Sequence, residues 1–444
     1  MELLLGNTGG TLKPVDVYTK QQRIAELAQQ MPEAGFTSLA YHIDAEWLHE
    51  AYRLTRKDGA AGVDEVTAEE YEQDLSGNLE SLLNRFKSGS YRAPAVKRVY
   101  IPKGMGDKSK RPIGIPTLED KILQRAIVMV LSPLYEQDFY DCSYGFRPGR
   151  SAHDALEALW KAIMGMGGSC WVLEVDIQSY FDTVNHSELR EMYKKRVRDG
   201  VINRVLGKWL KAGVMEDGAI RYPGKGTPQG GVISPLLSNI YLHEVLDDWF
   251  ENQVRSRLAG RAEMVRFADD FVIVFSHKED AHRVSEVLPK RFERFGLRIH
   301  EEKTRLVVFN RPGGDRRSKV GFDFLGFRHF WGRSRKGNWV VKRKTSSKKL
   351  RQSIRRVHLW CKYNRHLPIE EQWQSLCRKL HGHYGYYGIT FNMRSLSSYY
   401  EQVKRSWSKW LNRRSRDKQM PWRRFNRLLD RYPLPRPRIV HQFT

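Results

Sequence analysis

The adjacent acids Asp269 and Asp270 stand at a break between two apolar, strand-forming runs, residues 264–267 and 271–275. This pattern predicts a β-hairpin with both carboxylates at its turn. Two neighbouring anions repel each other unless a cation neutralises them, and carboxylate oxygens are the ligands that Mg²⁺ or Mn²⁺ prefers. Because Asp is also a common turn residue, the pair by itself favours a solvated turn.

A third acid, in a second stretch upstream, shifts the interpretation from a solvated turn toward a metal site. Asp176 follows the apolar run 171–175 and lies 93 residues before Asp269. Three carboxylates from two strand ends can hold two metal ions roughly 3.5–4 Å apart, the arrangement used for in-line phosphoryl transfer. Asp182 is close in sequence, but the direction of its side chain is not determined by strand periodicity, and we treat it as structural.

Three motifs occur in a fixed order: DIQSYFD at 176–182, GTPQGGVISPLLSNIYL at 226–242 and FADD at 267–270. In this order they resemble the reverse transcriptases of bacterial group II introns, from about residue 40 to the C-terminus. The resemblance implies an α/β right-hand polymerase fold with fingers, palm and an all-helical thumb. It implies three parts: an N-terminal extension (1–85), fingers and palm (86–335), and a thumb or maturase domain with a short basic tail (336–444).

The resemblance also implies the metal site. Asp176 and Asp269 would bind two Mg²⁺ ions, with Mn²⁺ as the alternative metal. Asp270 would adjust one of the ions, and Ile177 would contribute its main-chain carbonyl.

Five further positions resemble nucleotide-binding residues of the family. Four of them have a simpler alternative: a basic surface hairpin for Lys103 and Arg111, a core aromatic for Phe181, which would exclude a 2′-OH, and a salt-bridged surface residue for Lys303. The five positions are Lys103, Arg111, Phe181, Gln229 and Lys303.

Nucleic-acid contacts are expected at two kinds of position. Arg147 and Arg150, in the loop SYGFRPGRS, are candidates for template phosphates, although plain loop chemistry explains them nearly as well. Gly230 would let the backbone approach a nucleic-acid strand closely.

The net charge of +25 is distributed unevenly. Residues 311–444 contain 34 Lys and Arg against 7 Asp and Glu, a net of +27, and the first 310 residues carry −2. A basic region that also holds seven of the twelve tryptophans predicts RNA binding. The alternative is a helical domain with a solvated charged face and a tryptophan core. The proposed RNA-binding cluster, at the start of a helix expected at 344–363, is Lys342, Arg343, Lys344, Lys348 and Lys349.

Other features exclude several classes of protein. The four cysteines form no CxxC pair, which argues against a disulfide framework or a four-cysteine zinc site. No apolar run is long enough for a membrane span, and no secretion signal is apparent, so we expect no membrane partner and a cytoplasmic location. Residues 1–35 are interpreted as a mobile leader, and no endonuclease domain is expected.

The expected function is that of an RNA-directed DNA polymerase that assists splicing of a group II intron and performs target-primed reverse transcription during retrohoming. Its partners would be the intron RNA, an RNA template with a DNA or RNA primer, target DNA and dNTPs. Two alternatives are a splicing maturase whose polymerase site is dispensable, and a domesticated reverse transcriptase serving defence or repair.

Overall fold

A computed structural model describes residues 16–102, 110–216, 219–222, 224–226, 230–313, 320–414 and 420–442. Its helices are α1 Val17–Gln30, α2 Ala45–Leu54, α3 Ala68–Glu72, α4 Leu75–Ser88, α5 Leu118–Tyr135, α6 Ala152–Gly165, α7 Tyr180–Thr183, α8 His186–Arg196, α9 Gly200–Leu210, α10 Ser234–Leu242, α11 Lys278–Arg294, α12 Ser347–Tyr363, α13 Ile369–Tyr387, α14 Met393–Leu411 and α15 Trp422–Arg431. Its strands are β1 Val96–Pro102, β2 Lys110–Ile115, β3 Trp171–Val175, β4 Val214–Glu216, β5 Ala219–Arg221, β6 Ala262–Phe267, β7 Asp270–Phe275, β8 Arg305–Val308, β9 Gly321–Phe324, β10 Phe327–Arg333 and β11 Trp339–Thr345. The predicted mixed α/β class is confirmed.

The central sheet has the strand order β6-β7-β3-β8, and its pairs are antiparallel. Side chains alternate between two buried faces, as the two-residue period of a strand requires. Leu173 and Ile273 pack with α11 in one core, whereas Val172 and Val274 pack with α6 in another. Burial on both faces explains why β3 and β7 are almost continuously apolar.

Two smaller sheets flank the central one. The first has the order β2-β1-β4-β5, in which β1 and β2 form the predicted antiparallel hairpin. The second has the order β11-β10-β9. Strands β10 and β11 pair along seven residues each, so the chain returns into the same sheet before the C-terminal helices begin. Helices α12 to α15 surround a core of their own that includes Trp407 and Tyr384.

We expected residues 1–35 to be a mobile leader, but part of this segment is an ordered helix. Residues 17–30 form α1, which buries Val17, Ile24 and Ala28. Gln21 Nε2 donates to the Met129 carbonyl of α5 at 2.9 Å. The apolar positions of α1 are few, but they fall on one face and are covered by α5.

The predicted start of the helix expected at 344–363 is also wrong. Residues 339–345 form β11, and α12 begins only at Ser347, where the Ser346 hydroxyl accepts from the Lys349 amide. Helix α10 begins at Ser234, with Ile233 as its N-cap and Pro235 in its first turn. After α10 the chain stays helical through wider π-turns to residue 254. In the part of the chain that the structure describes, no helix has the length and apolarity to span a bilayer.

Candidate active site

The turn between β6 and β7 carries the two adjacent acids, as the sequence predicts. The ladder closes with the pair Phe267 and Asp270, so Ala268 and Asp269 form a two-residue turn. Ala268 has a φ of 58°, in the left-handed region that non-glycine residues seldom adopt. A tight turn of this kind projects its acids from the end of the sheet.

Asp176 follows β3 at the same end of the sheet. Strand β3 pairs with β7 so that Val175 faces Phe271, and one further step places Asp176 opposite Asp270. The Cβ atoms of directly opposed residues on antiparallel strands lie about 4.5–5.5 Å apart. The register therefore brings the separated acids together, which confirms that they share one strand-end edge.

The residues after Asp176 are held by a short antiparallel bridge between Ile177 and Ile299. The Gln178 amide donates to the Arg298 carbonyl, and the His300 amide donates to the Asp176 carbonyl, both at 2.8 Å. Neither bond uses the carbonyl of Ile177. That carbonyl, the expected metal ligand, is thus left out of the local pairing.

A fully buried arginine donates a hydrogen bond to the turn that carries Asp269. Arg266 Nη1 donates to the Ala268 carbonyl at 3.1 Å and to Asn239 Oδ1 at 3.0 Å. Its Nε donates to Asp247 Oδ1 at 2.8 Å, and Nη2 donates to Ser143 Oγ at 2.8 Å. Both Arg266 and Asp247 are completely buried. Sequence reasoning missed this pair, although a charged residue inside the apolar run 264–267 was a usable signal.

The loop SYGF packs against the same turn. The Tyr144 amide donates to the Arg266 carbonyl at 2.9 Å, so the loop lies alongside β6. A Cβ on Gly145 would lie 2.3 Å from the Ala268 amide nitrogen, which leaves room only for glycine. Asn239 Nδ2 donates to the Gly145 carbonyl at 2.7 Å and ties the loop to α10.

Burial and neighbouring negative charge raise the pKa values of Asp269 and Asp270. Withdrawal from bulk water, together with the charges of Asp269 and Asp176, raises the pKa of Asp270 to about 6. Burial also raises the pKa of Asp269, an effect that the nearby Arg111 opposes. Carboxylates that destabilise one another's charged forms favour a bound cation.

Basic side chains surround the acids. Lys303 Nζ lies 3.2 Å from Asp176 Oδ2. Lys348 and Lys349 line a cavity of about 440 Å³ together with Asp176 and Asp270. Lys303 is therefore salt-bridged, as the simpler alternative predicts, and its partner Asp176 is a candidate metal ligand. The family-based role of Lys303 at the nucleotide stays a prediction.

The donor set fits Mg²⁺ in kind, because it consists of carboxylate and carbonyl oxygens. Among the described residues, however, no three His, Cys, Asp or Glu side chains are close enough together to hold a metal ion as they stand. Lys303 instead supplies positive charge beside Asp176. Metal binding would therefore require these side chains to rotate toward a common point.

Glu174, a further acid of this cavity, was missed by sequence reasoning. Its carboxylate accepts from the Asp323 amide of β9 at 2.7 Å and pairs with Arg305 of β8. It therefore links β3 to two neighbouring strands.

The sequence makes Arg147 a candidate for template phosphates, with plain loop chemistry as the alternative. The structure supports the alternative, because Arg147 is a buried structural residue. Its side chain is only 3% exposed and pairs with Glu136 at 2.9 Å. Nη1 also donates to the carbonyls of Tyr140 at 2.7 Å and Ser143 at 2.9 Å. The guanidinium thus shapes its own loop. Arg150 pairs with the exposed Asp141.

The predicted basic cluster does not form one surface. Arg343 is fully buried, donates to the Leu156 carbonyl at 3.1 Å, and has its pKa lowered by burial to about 10. Its neighbours on β11, Lys342 and Lys344, alternate to the other side and lie over the rings of Phe391 and Phe330. The prediction that Arg343 contacts RNA is therefore wrong, because the segment is a strand.

The remaining predicted residues are placed as follows. Phe181 is half-buried on α7, and its ring contacts Tyr180 edge-on at 5.2 Å. A Cβ on Gly230 would lie 2.3 Å from the Gly114 carbonyl. Glycine at this position therefore lets the backbone pack closely against β2. Lys103 and Gln229 lie outside the described residues, and their roles stay predictions.

Comparison with known proteins agrees with this geometry. The family described as reverse transcriptase (RNA-dependent DNA polymerase) matches residues 101–329, which is just over half of the chain and includes all three acids. The chain belongs to the reverse transcriptase family. This reverse transcriptase is 37% identical to protein YkfC of Escherichia coli K12, over 72% of its own length and 90% of that protein.

Two further relatives carry intron-related names. Identity to the group II intron-encoded protein LtrA of Lactococcus lactis is 32%, over 64% of this chain and 47% of LtrA. Identity to nuclear intron maturase 4 of Arabidopsis thaliana is 24%, over 48% of this chain and 25% of that protein. The resemblance to group II intron reverse transcriptases is confirmed, and with it the class of RNA-directed DNA polymerase.

Proposed function

We propose that this reverse transcriptase is encoded by a group II intron, binds its intron RNA to assist splicing, and copies that RNA into DNA during retrohoming. The observation that carries the proposal is the meeting of Asp176, Asp269 and Asp270 at one sheet edge within the matched region. The similarity to an intron-encoded protein and to an intron maturase supports the RNA partner.

In the proposed reaction, the 3′-oxygen of a primer attacks the α-phosphorus of a dNTP. The 3′-hydroxyl gives up its proton to solvent, one phosphodiester bond forms, the bond to the β-phosphate breaks, and pyrophosphate leaves. Asp176, Asp269, Asp270 and the Ile177 carbonyl would hold two Mg²⁺ ions, which stabilise charge on the attacking and leaving oxygens when bound.

The other site residues would position the nucleotide. Arg111 lies near enough to lower the pKa of Asp269, which suits a role in holding the triphosphate. Phe181 would close the sugar pocket against a 2′-OH. Lys303 would move from Asp176 to the leaving pyrophosphate once a metal neutralises that acid.

The division into fingers, palm and thumb belongs to this proposal. The sheet β2-β1-β4-β5 would form the fingers, and the sheet β6-β7-β3-β8 the palm. Helices α12 to α15 would form the thumb. A cavity there of about 620 Å³ is lined by aromatic and basic side chains, among them Trp360, Arg356 and Lys379, which suits contact with a single nucleic-acid strand.

Asp269→Asn tests the proposal. Primer extension on an RNA template should fall to background, while RNA affinity in a filter-binding assay stays near the wild-type value. Asp182→Asn is the matched control, since Asp182 is an exposed neighbouring acid that we treat as structural. Extension by Asp269→Asn at the wild-type level would contradict the metal assignment.

A further inference from the structure

A basic cavity of about 660 Å³ lies between the segment just before β1 (residues 92–95), α8, α9 and the β4–β5 hairpin. Six cationic side chains line it: Arg92, Arg190, Lys194, Arg204, Lys208 and Lys211. No Asp or Glu is among the described residues that line it, and it shares none of them with the cavity of the catalytic acids. This concentration of charge is unexpected, because residues 1–310 carry a net charge of −2.

The charge of this cavity is mostly uncompensated. Within the described ranges, no carboxylate forms an ion pair with Arg92, Arg204 or Lys211, and all three are exposed. Lys194 has one long contact of 3.4 Å to the exposed Glu191. Lys208 serves the fold, since its Nζ donates to the carbonyls of Gly89 and Tyr91. Unpaired cations held on packed elements favour a polyanion.

Two further groups narrow the kind of polyanion. Asn203 Nδ2 donates to the Val197 carbonyl at 3.0 Å, but its buried Oδ1 has no hydrogen-bond partner in the described structure. Such an acceptor is suited to a hydroxyl donor, which RNA carries at every 2′ position and DNA lacks. At the rim, Tyr222 is 74% exposed, and an exposed ring can stack on an unpaired base.

We propose that this cavity is a second RNA-binding site, which holds the phosphodiester backbone of RNA apart from the template in the catalytic cleft. The cations would contact phosphates, Asn203 Oδ1 would accept from a 2′-OH, and Tyr222 would stack on a base. The site goes beyond the proposed thumb surface, because RNA affinity would no longer be confined to the C-terminal third.

The test uses the full chain and a labelled RNA hairpin with an unpaired loop, in the presence of saturating unlabelled primer–template. We expect the triple variant Arg92→Gln, Arg204→Gln, Lys211→Gln to bind the hairpin more weakly. Its log–log salt slope should be smaller by about 2 to 3, from roughly 0.7–0.9 per lost phosphate contact. Extension of a short annealed primer should stay within about twofold, because the catalytic cavity is unchanged.

The matched control is Arg257→Gln, Lys278→Gln, Lys290→Gln, which removes three exposed cations that do not line this cavity. It should leave the slope near the wild-type value. An unchanged slope in the cavity variant would overturn the proposal. Equal affinity of the wild-type protein for the RNA hairpin and for a DNA hairpin of the same sequence would also overturn it, since the 2′-OH would then play no part.

A second measurement needs no substitution in the cavity. Wild-type protein is photo-crosslinked to the hairpin carrying 4-thiouridine in its loop, with the catalytic cleft again saturated. Crosslinked peptides should include Tyr222. Crosslinks confined to the C-terminal helices, or displacement of the hairpin by polyglutamate as efficient as by unlabelled RNA, would overturn the proposal.

Discussion

Arg266 and Asp247 form an ion pair with both side chains fully buried, and the same arginine donates to the Ala268 carbonyl in the turn that carries Asp269. Asp247 lies in a π-turn that follows α10, so the pair joins that helical segment to the β6–β7 hairpin. Helix α10 also carries Asn239, which accepts from Arg266 and donates to the Gly145 carbonyl. The turn is therefore linked both to α10 and to the loop that contains Gly145.

Arg266→Met should strongly destabilise the fold. Breaking a buried pair leaves an unpaired charge, which costs about 3–5 kcal/mol. The double variant Arg266→Met, Asp247→Leu should recover much of that loss in urea unfolding, because no lone buried charge remains. It should still extend primers poorly, since the Ala268 carbonyl has lost its donor.

The control for this series is Arg255→Met. Arg255 forms exposed pairs with Glu251 and Glu263, and surface pairs contribute about 0–1 kcal/mol. Wild-type extension rates in the double variant would show that Arg266 acts on stability alone.

The raised pKa of Asp270 predicts a pH dependence of stability in the absence of divalent metal. Its folded-state pKa of about 6 exceeds the ordinary Asp value, so the folded state binds the extra proton between these values. Stability should therefore fall as pH rises through this window. Asp270→Asn should raise the melting temperature in EDTA at pH 7.5 and change it little at pH 4. Equal shifts at both pH values would contradict this assignment.

Adding Mg²⁺ should offset the loss of folding stability that ionised Asp270 causes. A ligand that binds only the folded state stabilises it. The melting temperature of the wild-type protein at pH 7.5 should rise with Mg²⁺ concentration, and that of Asp270→Asn should rise less. No rise in the wild-type protein would argue against a metal at these acids.

Phe181→Val should increase ribonucleotide incorporation relative to deoxynucleotide. The half-buried ring lies five residues after Asp176, and a smaller side chain would open the proposed sugar pocket. Competition assays with matched dNTP and rNTP measure the ratio. Phe181→Tyr keeps the ring and should discriminate nearly as well as the wild type. An unchanged ratio in Phe181→Val would remove this residue from the pocket.

The basic cluster should separate into two functional pairs. Lys348→Gln, Lys349→Gln alters the cavity of the acids and should reduce primer extension. Lys342→Gln, Lys344→Gln alters the outer side of β11 and should weaken binding to structured RNA while extension stays within about twofold. Each double variant removes two charges and is the control for the other. Equal effects in both assays would mean that position within the cluster is unimportant.

Much of the fold follows from local sequence pattern. Alternating and continuous apolar runs predict β3, β6 and β7, and Gly and Asp positions predict the hairpin turns. The order of the motifs identifies the family, because their spacing is a property of the chain alone. For the same reason Asp176, Asp269 and Asp270 could be named together without a structure.

The errors occurred where burial depends on distant partners. Arg147 and Arg343 resemble RNA contacts in sequence, yet one satisfies the carbonyls of its own loop and the other enters a core beside α6. A sparse apolar pattern at 17–30 gave no indication that α5 would cover it.

The sequence by itself determined the family, the candidate acids Asp176, Asp269 and Asp270 and the excess of charge in residues 311–444, because these depend on residue identity and order. Only the tertiary structure decided which cations remain available to a ligand. It enclosed Arg266 with Asp247, paired Lys303 with Asp176 and left Arg92, Arg204 and Lys211 without partners among the described residues. The physical reason is that a charge is compensated by its neighbours in space, and those neighbours come from segments far apart in the chain.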